Sequence, residues 1–262
     1  MPLIKNNLTM KLVVIFLLNL LLIFASPQPT QAGEIADRLA AYPNWNGKLN
    51  ISQTDTDLIY PEWIAGTWTA TSILREQIAP LAPKVVTPGF EKNEKYLNQP
   101  FTFKVRFQAQ KPSIPSILSL SSFSPKKNLI VADRTFNGEN IAKAYLGDEE
   151  VLSVKVSEDN PNRQITFLAD DNQLISTITG RSQETPNSQE FLTTEITQQL
   201  FQRPTSIYLN EVETTTNYQL ITSNKVTAKQ VTAIYLSPED PEYFKAINIP
   251  VALYEYELIL EK

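Results

Sequence analysis

The stretch Phe101-Thr102-Phe103-Lys104-Val105-Arg106-Phe107-Gln108 decides the fold. Its large apolar residues fall on every second position, the period of a pleated strand with one face in a core and one in water. The same alternation returns after Pro250, where Tyr254, Tyr256, Leu258 and Leu260 interleave with Glu255, Glu257, Ile259 and Glu261. Between these two stretches, residues 151–156, 164–169, 174–179, 191–197, 206–213, 216–222 and 226–236 read as further strands. Turn residues such as Asp159-Asn160-Pro161-Asn162 and Asp170-Asp171-Asn172 separate them. Upstream, the Thr-, Trp- and Ile-rich residues 63–74 make the first core strand, which puts Trp63 and Trp68 on opposite faces of it. Short strands joined by tight turns pair with their neighbours antiparallel, and no long amphipathic helix alternates with them. The expectation is an all-β fold of about ten strands, a sheet large enough that it must curl or split. An antiparallel β-barrel protects its edges better than the alternative, a β-sandwich.

The remaining segments are irregular. Residues 34–42 have short helical character, with Ile35, Ala36 and Leu39 near one face and Pro43 as the stop. Residues 44–61 are polar and expected to wrap the surface. Pro80, Pro83 and Pro88 make residues 79–90 an irregular crossing, and Pro112, Pro115 and Pro125 make residues 110–127 a loop. Asp133-Arg134-Thr135-Phe136-Asn137-Gly138 reads as a turn, followed by a modest helix over 139–145 that ends at Gly147.

The first residues fit a secretory signal: Lys5 and Lys11, an apolar run from Leu12 to Ala25, then small residues near Ala32. The run of about 14 residues is shorter than the roughly 20 a membrane span needs. The expected division is therefore a signal peptide over 1–32, with Met1 or Met10 as the start, and one β domain over 33–262. No stable membrane span remains after cleavage, and the expected location is the periplasm or thylakoid lumen. Cleavage removes two lysines and no acid, leaving 28 acidic against 21 basic residues, so nucleic acid is not an expected partner.

The chain has no Cys and no His. That excludes a thiol nucleophile, a Ser/His/Asp triad, disulfides, zinc sites built on Cys or His, and histidine-held haem. Chemistry would have to run on Asp, Glu, Lys, Tyr, Ser or Thr. No cofactor and no resident metal are expected; Asp170-Asp171-Asn172 lacks calcium-loop spacing, and the acidic run Glu239-Asp240-Pro241-Glu242 reads as a solubilising loop.

Gly66-Thr67-Trp68, within Pro61-Glu62-Trp63-Ile64-Ala65-Gly66-Thr67-Trp68-Thr69, resembles the Gly-x-Trp signature on the first strand of lipocalin-like barrels. The glycine would let the strand bend tightly and the tryptophan would plug that barrel end. Lipocalins also tend to set an Arg of the last strand against this Trp, and residues 250–262 contain none. Together with residues 80–90 and Ala132-Asp133-Arg134-Thr135-Phe136-Asn137-Gly138, the segment resembles an uncharacterised family of cyanobacterial proteins with plastid relatives assigned to the thylakoid lumen. That resemblance implies a compartment and no activity.

The candidate ligand-contacting residues are Trp68, Phe103, Phe107, Tyr254 and Tyr256, each of which also suits ordinary core packing. Three functions follow. The first is a non-enzymatic protein that binds a small apolar or amphipathic ligand, such as a lipid or pigment fragment, in a barrel cavity. The second is an assembly factor that meets a membrane-complex protein partner through the proline-rich loops. The third is an enzyme built on paired carboxylates in a barrel mouth.

Overall fold

The computed structural model describes residues 33–49, 51–54, 56–87, 89–110 and 129–262. The expected signal segment lies outside these residues, as does the expected loop beyond Gln110.

Ten strands form a single antiparallel sheet: β1 Gly66–Ile78, β2 Pro100–Ala109, β3 Ile130–Ala132, β4 Val151–Val156, β5 Arg163–Leu168, β6 Gln173–Asn187, β7 Glu190–Arg203, β8 Ser206–Thr222, β9 Lys225–Leu236 and β10 Ala252–Glu261. Their order is β3-β2-β1-β10-β9-β8-β7-β6-β5-β4, a meander whose last strand returns beside the first. The sheet curls into a half-barrel, and one sheet rather than two excludes the sandwich. The two edge strands, β3 and β4, do not pair with each other, and β3 carries a single bridge in which the Tyr60 N–H donates to the Ile130 carbonyl at 2.8 Å. A helix, α2 (Arg134–Leu146), connects these edge strands and packs against both β2 and β4, so it spans the seam. A shorter helix, α1 (Glu34–Ala40), lies against β6, β7 and β8.

The Phe101–Phe107 alternation behaves as its period predicts: Val105 and Phe107 are buried while Thr102 and Lys104 are exposed. Four expectations need correction. Trp63 and Trp68 are not in one strand, because Trp63 sits in a 3-10 turn, Glu62–Ile64, ahead of β1. Both pack into the same apolar cluster. Residues 206–222 are one strand, not a hairpin; Thr214 and Thr215 pair with β7 and β9 on either side, and two β-branched residues favour continuing a ladder over turning it. Residues 133–138 are not a turn: Asp133 caps α2, its carboxylate accepting the Phe136 N–H at 3.2 Å, so the helix starts five residues early. Residues 44–61 are irregular but do not merely wrap the surface, since they carry Trp45 and Leu58 into the interior.

The convex face of the sheet holds its own core of Ile35, Leu39, Trp45, Leu192, Val231, Ala233, Tyr235 and Leu253. Within it Arg38 binds Glu213 through two N–H donors at 2.9 and 2.8 Å and donates to the carbonyls of Asn46 and Gly47. Glu213 is fully buried, and its oxygens are met by this guanidinium and by the Tyr235 and Thr215 hydroxyls. Farther along the convex face, acids on β10 pair across strands: Glu255 with Lys229, Glu257 with Arg75 and Glu261 with Lys225.

Candidate functional site: a two-chambered concave face

The motif residues 132–138 place α2 across the concave face, and Asp133, Arg134, Phe136, Asn137 and Gly138 each have a physical task. The Asp133 carboxylate accepts from the Arg106 guanidinium at 2.9 and 2.7 Å and from Gln108 at 3.0 Å. The same guanidinium lies 4.1 Å from the Phe136 ring centroid, a cation–π contact. Asn137 clamps the backbone of β2, accepting from the Arg106 N–H at 2.6 Å and donating to the Arg106 carbonyl at 3.1 Å. Gly138 admits close approach to β5, where a Cβ would sit 2.7 Å from the Gln164 amide nitrogen. Asp133 and Arg134 do not pair with each other; Arg134 instead reaches Asp57 at 3.2 Å and Glu195 at 3.6 Å.

Below this helix lie two chambers. One, of about 740 Å³, extends over β5, β6 and β7 and is lined by Gln164, Gln173, Gln199, Asn172, Leu174 and Phe201 among others. We refer to it as the amide chamber. The other, of about 450 Å³, lies over β1, β2, β9 and β10, with Phe103, Phe107, Tyr145, Tyr256, Leu258 and Leu260 in its wall. This is the aromatic chamber. Asn137, Ile141 and Tyr145, one i, i+4, i+8 stripe of α2, border both, as do Tyr60 and Ala132. The chambers therefore adjoin beneath the helix.

Tyr60 and Tyr218 stand at this junction with ring centroids 6.2 Å apart. Burial, then the nearby Glu195 carboxylate, pushes the Tyr218 phenol up to about 12. Burial likewise holds Tyr60 protonated well above its ordinary range. Tyr256 is raised by burial and by the neighbouring phenols of Tyr145 and Tyr254. These hydroxyls are neutral hydrogen-bonding groups at any physiological pH.

Phe103, Phe107 and Tyr256 come together in the aromatic chamber, as their shared strand faces imply. Tyr254 does not line it. Its ring packs with Leu74, Ala252 and Phe90, and its hydroxyl accepts from Asn93 at 3.1 Å. Trp68 is buried below the chamber and donates its indole N–H to the Ile64 carbonyl at 2.6 Å. Lys262, the residue after β10, lies 4.2 Å over the Trp68 ring and donates to the Ala65 carbonyl at 2.9 Å. A lysine thus fills the place beside the tryptophan for which the sequence offered no arginine.

Sequence reasoning missed the amide chamber, whose walls come from residues 57 to 203 and whose glutamines read as ordinary strand polarity. It also missed the cluster at the chamber's base. There Arg134 holds both Asp57 and Glu195, and Arg181 binds Glu195 at 2.6 Å. Among the described residues no group of three or more Asp or Glu is arranged to hold a metal, and no helix is long and apolar enough to cross a membrane.

A family model described as a domain of unknown function, DUF6816, matches residues 52–262. The chain belongs to the DUF6816 family. No curated protein and no solved structure matches it. The matched range takes in both chambers and all ten strands of the DUF6816 sheet, whereas α1 and Arg38 precede it.

Proposed function

We propose that this is an exported, non-enzymatic binding protein that holds a small amphipathic molecule against the concave face, its apolar part in the aromatic chamber. The observation that carries the reading is the composition of that chamber: about 450 Å³ walled by aromatic and aliphatic side chains, with no Asp, Glu, Lys or Arg among its lining residues. Its size falls within the roughly 300–1,000 Å³ typical of small-molecule sites. A few polar groups, Ser72, Gln230, Thr232 and the tyrosine hydroxyls, are spaced to orient a ligand rather than to react with it. The signal-like N-terminus supports an exported location, either periplasm or thylakoid lumen.

Native mass spectrometry of the chain purified from its own host tests this. A near-stoichiometric apolar molecule is expected on the wild-type chain and is expected to be weakened or lost in Thr232→Trp, whose indole takes up much more of the chamber. A clean apo mass that persists after exposure to host lipid extract overturns the reading.

A second reading, carboxylate chemistry, has one observation in its favour: Asp57 and Glu195 both face the amide chamber and meet at one guanidinium. Their oxygens are engaged by arginine donors, which suits anchoring α2 better than activating water. Retention of full ligand binding in Glu195→Gln together with loss of a hydrolytic activity would favour the enzyme.

A further inference from the structure

We infer that the amide chamber receives a neutral, multiply hydroxylated head group, such as a glycosyl unit, whose attached apolar chain occupies the aromatic chamber. The inference rests on the binding reading above and deepens it by naming the ligand's polar half. Gln164 and Gln199 are half-buried, line the chamber on the strand face they share with Ser176, and make no side-chain hydrogen bond among the described residues. Thr166 and Ser176 add hydroxyls beside them. A carboxamide offers donors and an acceptor together, and a sugar hydroxyl matches it because it also does both. Leaving such amides unmatched against a dry ligand surface is unfavourable, so the chamber selects against a purely apolar occupant.

Charge argues against an ionic head. The charged residues that line the chamber are Asp57, Glu195, Arg134 and Arg203, two of each sign; Arg134 is bound by Asp57 and Glu195, and Arg203 is exposed to solvent. Neither sign is in surplus there, and the adjoining aromatic chamber would desolvate a charge without a partner. Leu168, Leu174 and Phe201 interrupt the amides with apolar surface, which suits the C–H face of a pyranose ring. The i, i+4, i+8 stripe of α2 lies where head and tail would join.

The test compares three probes with the same twelve-carbon chain, held below their micelle concentrations, by calorimetric titration of the full chain: dodecyl maltoside, dodecylphosphocholine and dodecanoate. Dodecyl maltoside is expected to bind at least about tenfold tighter than dodecanoate. Gln199→Leu with Gln164→Leu is expected to erase that preference while leaving dodecanoate affinity unchanged. Ser176→Ala, a smaller change that preserves packing, is expected to move the preference in the same direction if the double variant does not fold. Equal or tighter binding of either charged head, or an unchanged preference in both variants, overturns the head-group inference alone. Binding of none of the three probes overturns the carrier reading itself.

Discussion

At the residue scale, Gly66 and Trp68 show how two positions organise the start of β1. Gly66 has φ +120°, which a side chain rarely adopts, and a Cβ there would also press on Lys262 at 3.2 Å. Trp68→Ala removes a fully buried ring and its indole hydrogen bond, and is expected to cost about 3–5 kcal/mol in urea denaturation. Lys262→Ala removes an exposed cation–π contact and is expected to cost only about 0.5–1 kcal/mol. Trp68 was readable because a Gly-x-Trp pair at a strand start has a recognisable job. Lys262 was not, because only tertiary folding carries the chain terminus back to β1. Arg38 and Glu213 make the same point with larger stakes. Arg38→Met alone leaves Glu213 buried and unpaired and is expected to cost about 3–5 kcal/mol, whereas Arg38→Met with Glu213→Leu is expected to recover most of that stability. Equal losses in the single and double variants would show that the guanidinium is not what neutralises Glu213.

At the element scale, α2 is the piece that sequence periodicity described least well. Its apolar positions make no strong stripe, because the face it turns to the chambers mixes Asn137 and Gly138 with Ile141 and Tyr145, and it has no fully buried residue. Read locally, Asp133 to Gly138 has the composition of a turn. The start of the helix is set by partners far away: Arg106 and Gln108 on β2 hold the capping aspartate. Asp133→Ala therefore loses a cap worth about 1 kcal/mol and a tie to the sheet. Its expected signature is faster amide hydrogen exchange over residues 134–146 and weakened ligand binding, with exchange in β7 to β9 unchanged. Gly138→Ala is expected to be close to neutral in stability, since helix propensity gains what the swing of the flexible Gln164 amide loses. The strands were legible because each has one wet face; the 17-residue β8 was split in the sequence reading because its threonines suit both a ladder and a turn.

At the scale of the whole molecule, the buried tyrosines couple the fold to alkaline pH. Burial raises the phenols of Tyr60, Tyr218, Tyr235 and Tyr256 above the ordinary value near 10, that of Tyr218 to about 12. Below pH of about 10 folded and unfolded chains both keep these protons, so the groups add no pH dependence. Above it the unfolded chain loses protons that the folded chain retains, and stability falls by about 1.4 kcal/mol per pH unit for each such tyrosine. Urea midpoints measured from about pH 9 to 12 are expected to stay level and then drop. Tyr60→Phe with Tyr218→Phe is expected to make the drop shallower.

The sequence by itself determined that the chain is a curled antiparallel meander, because a period of two and tight turns are local properties that each strand declares alone. It also determined the chemistry that is absent, since no Cys or His can be supplied by folding. The tertiary structure alone decided that the half-barrel is bridged by a helix at its seam. It also decided that three of the five candidate aromatic residues share one chamber, and that glutamines from β5 and β7 come together in a second. Those outcomes depend on which distant side chains meet when the sheet curls, and no local pattern encodes the radius of that curl.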